Sequence, residues 1–334
     1  MLMWSTRFTG SKGGTPAGGN VRAMVRFAES ARQMSQLRAS LLVNPVARGV
    51  KPGFDATRPA RYLEKRGVAT TVVIPGSAAE ATERARESAA RGDDLCFVIG
   101  GDGTVRDVAL GLAGSETALA AVPGGTVNIW AKEAGVPRGL KRALDTHLGG
   151  QRVRIDLGRA DGHCFLLMAG IGWDAEITRR VSKSLKKATG DIAYMVQGAL
   201  MAPGLRARPA RWRSGGAVHD EPLAWMLLGN SRLYGGKIHL TRDAVIDDGL
   251  LDMLAMCPAN LGDTLRLAAK LVAGKRQDPR LIHERVAEVQ VETPGLPVQL
   301  DGDYAGETPM TFSVQPGGLL VSVPAGPLPA VFGR

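Results

Sequence analysis

Leu95-Cys96-Phe97-Val98-Ile99-Gly100-Gly101-Asp102-Gly103-Thr104-Val105-Arg106 is the stretch whose reading decides the fold. Its apolar half reads as a buried strand, and the glycines behind it turn the chain into a helix opening near Thr104. Gly100, Gly101 and Gly103 let backbone N–H groups approach an anion closely. A helix starting there aims the positive end of its dipole at the same place. Asp102 is out of keeping with phosphates unless a cation such as magnesium stands between them; as a turn carboxylate it is expected to add little to stability. An ordinary turn carries Gly-Asp-Gly equally well, so the decision needs a second element.

That element is Pro123-Gly124-Gly125-Thr126-Val127-Asn128, which follows the apolar run Leu119-Ala120-Ala121-Val122. Two strand-then-glycine units in succession put both turns at the carboxyl edge of one sheet, where open α/β folds bind ligands. The surrounding pattern agrees. Short β-rich runs at 41–43, 70–74, 95–99 and 119–122 alternate with helical patterns at 55–66, 77–91, 105–112 and 138–148. This predicts a doubly wound α/β domain with a parallel sheet and helices on both faces. From about Arg152 the signal changes to strands at 154–157, 165–169, 223–228, 251–256, 287–292 and 311–323, with helices at 175–187, 192–202 and 261–273. That mix predicts an antiparallel β-sandwich with a few added helices.

Taken together, GGDGT at 100–104 and PGGTVN at 123–128 resemble the diacylglycerol kinase catalytic family, the bacterial lipid kinases related to sphingosine and ceramide kinases. Further matches come in the family's order: LLVNP at 41–45, FLLMAGIGWDA at 165–175, DDGLLD at 247–252 and Asp301-Gly302-Asp303. The resemblance implies a nucleotide domain over 40–151 and a lipid-binding β-sandwich over 152–324, with 325–334 returning to the first domain. It implies that Gly100, Gly101, Asp102, Gly103, Thr104, Val105, Arg106, Gly125 and Thr126 hold ATP phosphates, with Asn44 and Asn128 bonding nearby. Asp102 would face Mg2+, Asp303 would be the general base, and Asp248 with the carbonyls of Val245 and Leu250 would hold a second, structural metal. Two positions depart from the family. Ile129 stands where many members have Asp, and Asp303 replaces a frequent Glu, shortening the base by roughly 1.5 Å. A NAD kinase, which shares GGDGT, and a non-catalytic pseudokinase that binds lipid or nucleotide are the alternatives; the DDGLLD and Asp-Gly-Asp pairing argues against the first, while Ile129 motivates the second.

Composition bounds the partners. At 334 residues two domains are expected, and 44% apolar with 22% charged residues is ordinary for a globular protein. Cys96, Cys164 and Cys257 sit apart in apolar contexts, and the five histidines form no close pair, so reduced core thiols and no zinc are expected. No run reaches the roughly 20 apolar residues of a membrane span. The formal charge of +10 favours an anionic partner, and 5% aromatic residues without basic–aromatic interleaving favour lipid over nucleic acid. Basic residues cluster at 1–38, at 179–187 and at Arg206, Arg208, Arg211 and Arg213 around Trp212. Residues 1–39 read as a flexible basic tail, or as sequence ahead of a start at Met24 or Met34. The expected setting is cytoplasmic, peripheral at the inner face of an anionic membrane, with room for a homodimer.

Overall fold

The computed structural model describes residues 36–50, 52–180, 206–236 and 238–333. Most of the expected tail, and the basic run beyond Arg180 with the apolar stretch behind it, lie outside the described residues.

From Arg38 the chain alternates as the sequence pattern predicts: β1 (Arg38–Val43), α1 (Thr57–Glu64), β2 (Ala69–Val73), α2 (Ala78–Ala90), β3 (Leu95–Gly100), α3 (Asp102–Leu112) and β4 (Ala118–Pro123). The strands are parallel in the order β2-β1-β3-β4. Every residue of β3 is buried, because helices cover both faces. The short α4 (Ile129–Glu133) and α5 (Leu140–Leu148) follow. Ser77 starts α2 by accepting from the Glu80 N–H at 3.1 Å, while Glu80 reaches back to the Gly76 N–H at 2.8 Å. α2 and α3 pack closely enough that a Cβ on Gly111 would stand 2.3 Å from the Thr82 carbonyl oxygen and 2.5 Å from the Ala85 Cβ.

The second half is β-rich. It comprises β5 (Gln151–Ala160), β6 (His163–Phe165), β7 (Met168–Gly172), α6 (Trp173–Arg180), β8 (Arg208–Ser214), β9 (Ala217–Leu223), β10 (Trp225–Gly229), β11 (Leu233–Tyr234), β12 (Ile238–His239) and β13 (Leu251–Met256). It closes with α7 (Leu261–Val272), β14 (Leu281–Val286), β15 (Glu288–Val291), β16 (Pro297–Leu300), β17 (Asp303–Glu307) and β18 (Met310–Val323). An antiparallel six-stranded sheet runs β14-β13-β10-β7-β16-β17. Strands of the larger sheet face it across a core that includes Phe165, Ile171, Trp212, Met226, Met253, Val298 and Phe312. That larger sheet is continuous with the parallel one. β18 pairs parallel to β4 at Val321 and Leu119, and antiparallel to β5 and β15, bending at a register shift between Gln315 and Leu319.

Two sequence expectations change. The single strand predicted at 165–169 is two strands, β6 and β7, because Leu166 and Leu167 give their N–H groups to the Asp301 carboxylate, not to a ladder. The arginine cluster around Trp212 is the strand β8, whose alternation places Ala210, Trp212 and Ser214 inside. Trp212 is wholly buried and stacks on His219 at 4.9 Å, while Arg211 and Arg213 both pair with Glu292.

Gly111→Val tests the helix contact. Overpacking there is expected to cost about 1–3 kcal/mol, read as a lower urea midpoint with unchanged slope; a midpoint equal to the parent's would show that α2 and α3 separate freely.

Candidate active site

β1, β3 and β4 end side by side, and their turns are fastened backbone to backbone. The Asn44 N–H donates to the Ile99 carbonyl at 2.9 Å, Gly124 N–H to Gly100 at 2.9 Å, and Gly49 N–H to Gly124 at 2.8 Å. A Cβ on Gly125 would lie 2.5 Å from the Gly101 Cα, and one on Gly124 2.9 Å from the Gly100 nitrogen. Only glycine permits that contact. Asn44 Nδ2 donates to Thr104 Oγ1 at 2.8 Å, tying β1 to the first turn of α3. Asn128, at φ +54°, closes its own turn by accepting from the Gly125 N–H and donating to the Gly125 carbonyl, each at 2.8 Å. Thr126 is exposed at this edge, whereas the Val105 side chain is buried in the core. The first-turn amides of α3, which include those of Asp102 and Gly103, have no carbonyl one turn earlier within the helix and face the edge that an anion would occupy.

Asp102 does more here than a solvent-facing turn carboxylate. It is half-buried, and its Oδ1 accepts from the Trp130 N–H at 3.2 Å, so it serves the start of α4. Burial pushes its carboxyl above the ordinary range, against the pull of the Ile129 and Trp130 amides and of Lys132. A carboxylate whose charged form is penalised, set at an anion-binding edge, fits a cation delivered with phosphates; magnesium commonly uses one or two protein carboxylates and completes its shell with phosphate oxygen and water. Ile129, beside it, packs against the core, and a Cβ on Gly236 would fall 2.1 Å from Val127 Cγ1 and 3.5 Å from Ile129 Cγ1. Val127, with Ile129 behind it, thus lies beside the 235–236 turn.

Arg106 carries the edge across to the sandwich. It donates from Nε and Nη2 to Asp107 at 3.2 and 2.8 Å and from Nη1 to the Leu300 carbonyl at 3.2 Å, and Nη1 pairs with Asp303 Oδ2 at 2.9 Å. Burial disfavours its charge, yet the neighbouring carboxylates outweigh that and hold the guanidinium more firmly protonated than usual. Asp303 is 46% exposed and Arg106 only 15%, so the base candidate opens to solvent on the side away from the arginine. Asp301, at φ +49°, anchors the turn from below: its carboxylate accepts from Leu166, Leu167 and Met168 at 2.7, 2.8 and 3.0 Å. Burial raises its pKa, and the amides together with Arg106 oppose that rise.

The DDGLLD loop is tied to its surroundings through each of its first three residues. Asp248 Oδ2 pairs with Arg285, and Oδ1 accepts from its own loop at the Leu250 N–H, 3.0 Å. Asp247 accepts from the Gly333 N–H at 2.8 Å. Gly249, at φ +76°, donates to Asp156 Oδ2 at 2.6 Å, and Asp156 Oδ1 takes the Gly317 N–H at 2.7 Å. Arg285 thus stands on the carboxylate that the resemblance assigns, with the carbonyls of Val245 and Leu250, to a second metal.

Several residues at or under the site escape sequence reading. Asp156 joins the DDGLLD loop to the bend of β18. Glu133 is buried and accepts from the Arg232 and Leu233 N–H groups at 3.1 and 2.6 Å, joining α4 to the sandwich. Asn230 Nδ2 donates to the carbonyls of Asp156 and Leu166, both at 2.9 Å. Asp174 is fully buried and accepts from Gln299 at 3.0 Å. Their partners lie 64 to 161 residues away in sequence, so no local pattern names them.

A glycine edge that leaves backbone amides uncovered thus faces a sandwich turn carrying a half-exposed carboxylate, a candidate anion site beside a candidate base. Family models agree, matching the diacylglycerol kinase catalytic domain over residues 38–160 and the YegS C-terminal NAD kinase beta sandwich-like domain over 168–323. The chain is 30% identical over 280 residues to the diacylglycerol kinase of Bacillus subtilis, covering 82% of this chain and 92% of the relative. It is 33% identical over 287 residues to the probable lipid kinase YegS-like of Pseudomonas aeruginosa, covering 84% and 94%. The crystal structure of a diacylglycerol kinase from Bacillus anthracis superposes with a TM-score of 0.68 at 20% identity, covering 88% of this chain and 99% of that one, which is a likeness of fold. The chain belongs to the diacylglycerol kinase and YegS-like lipid kinase family.

Asp174 yields a pH test. Burial lifts its carboxyl from 3.8 to about 6, with Gln299 opposing. Between those values the native state holds a proton that the unfolded chain has released, so this group's stabilisation is present at low pH and is lost as pH rises through about 6. The total is on the order of 3 kcal/mol. Asp174→Asn removes it, so the stability of the parent relative to the variant should fall by that order between pH 4 and pH 7 in denaturant titrations; a pH-independent difference would show that Asp174 ionises as in water.

Proposed function

We propose that the protein is an ATP-dependent kinase that phosphorylates the hydroxyl of diacylglycerol or a closely related lipid. The observation that carries this reading is the Arg106 bridge: one guanidinium on the first turns of the glycine-edge helix contacts the carboxylate of Asp303 at 2.9 Å, so phosphate cradle and base candidate lie within one side chain of each other. The two lipid kinase relatives support the acceptor class.

In this reading the amides of Gly101, Asp102 and Gly103 hold donor phosphates at the start of α3, while Asn44 and Asn128 keep the two turns rigid. Asp102 would hold magnesium, which when bound neutralises charge on the transferring phosphate. Asp303 accepts the proton of the lipid hydroxyl as its oxygen attacks the γ-phosphorus and the bond to the ADP oxygen breaks. A carboxylate paired with arginine is a weak base. Phosphate is a competing partner for Arg106, so nucleotide binding draws the guanidinium toward the cradle and frees Asp303 for the lipid. The net charge of +10 suits work at an anionic membrane surface. Among the described residues no helix is long and apolar enough to cross a membrane.

The test is transfer of labelled phosphate from ATP, with magnesium, to a panel of lipids and in parallel to NAD. A labelled diacylglycerol-like lipid is expected; labelling of NAD alone would overturn the reading. Asp303→Asn should lower turnover about two to four orders of magnitude with ATP affinity changed only a few fold, and Asp303→Glu should keep activity. Asp102→Ala should abolish transfer and, because Asp102 also serves the start of α4, cost about 0.5–2 kcal/mol in stability. Parent-like turnover in Asp303→Asn would remove it as the base.

A further inference from the structure

The turn that carries Asp303 is held by a side chain unmarked by any motif. Gln299 is 2% exposed, and both ends of its amide are engaged. Nε2 donates to Asp174 Oδ2 at 3.0 Å, and Oε1 accepts from the Gly302 N–H at 2.6 Å. Gln299 stands at the register shift between β16 and β17, where ladder pairing alone leaves the turn under-determined. Asp174 has little room to move: it is wholly buried, and a Cβ on Gly170 would fall 2.1 Å from its Oδ2. An ionised carboxylate only accepts, so it forces Nε2 of Gln299 toward itself and Oε1 toward the turn. Gly302 immediately precedes the base candidate.

We infer that Gln299 is a positioning residue for Asp303: a buried amide, oriented by the Asp174 carboxylate, whose oxygen fixes the Gly302 amide and thereby the placement of the base over the phosphate edge. This rests on the reading of Asp303 as the base. Asp301 acts on residues 166–168, and Arg106 acts on Leu300 and on the Asp303 side chain, whereas Gln299 acts on the Gly302 backbone.

Four full-length proteins decide it: the parent, Gln299→Leu, Gln299→Glu, and Gln299→Glu combined with Asp174→Asn. Each is measured by hydrogen exchange of the Gly302 amide and by ATP-dependent phosphorylation of diacylglycerol in mixed micelles, with melting temperature as a control. In Gln299→Leu the Gly302 amide should exchange at least about tenfold faster, and turnover should fall about 10–100-fold with the KM for ATP nearly unchanged, as expected for a misplaced reacting group. Gln299→Glu sets two carboxylates face to face, so its activity should be poor at pH 8 and recover as pH falls and one proton is shared. In the double variant the amide introduced in place of the Asp174 carboxylate donates to one oxygen of the new carboxylate while the other takes the Gly302 N–H, and both readouts should return to within a few fold of the parent. Unchanged Gly302 exchange in Gln299→Leu overturns the inference, and so does a double variant that melts like the parent but turns over no faster than Gln299→Glu. A parent that phosphorylates no lipid overturns the reading of Asp303 instead, and the exchange data then decide the Gln299 bridge alone.

Discussion

Two glycine backbones in contact are the constraint on which the site depends. Gly100–Gly101 and Gly124–Gly125 approach so closely that a single methyl group on either Gly124 or Gly125 would overlap the other turn. Because the turns touch, α3 and α4 begin beside each other, and the Asp102 carboxylate of one helix reaches the Trp130 amide of the next. The starts of α3 and α4 therefore lie side by side, with glycine leaving the backbone between them uncovered. An anion at this edge would be held by backbone amides that the glycines leave uncovered.

Charge then joins that edge to the sandwich. Arg106 is largely buried, and the desolvation it suffers is offset by Asp107, Asp303 and the Leu300 carbonyl. The Arg106–Asp107 pair is largely buried, and such pairs add little net stability but penalise misplacement strongly, since either partner left alone is an uncompensated charge. Glu133, receiving two amides from the 232–233 backbone, acts in the same sense on the other side. The site is thus pinned by electrostatics at two points and by main-chain contact at a third.

The parallel half of the fold is legible in the sequence because it is local: buried strands read as unbroken apolar runs, and glycine turns mark their ends. The glycine edge is legible for the same reason. The antiparallel half is less so. β8 hides behind Arg208, Arg211, Arg213 and a proline, and its inward Trp212 is recognisable only once a facing sheet exists to cover it. The break between β6 and β7 is written more than a hundred residues away, in the carboxylate of Asp301. Asp156, Asp174, Gln299 and Asn230 are likewise invisible, since a buried polar residue acquires meaning from a partner distant in sequence. For DDGLLD the motif is where expected, but Arg285, from a neighbouring strand, occupies its second carboxylate.

β18 has a mechanical consequence. The two segments matched by separate family models share this strand, which hydrogen-bonds to β5 on one side and meets β4 and β15 on the other. A hinge through such a ladder would sever several backbone bonds at once and expose an open sheet edge. Rigid-body rocking of one half against the other is therefore the expensive motion. The same strand ties the halves together: excising residues 38–160 would strip β4 and β5 of the partner that closes their edges.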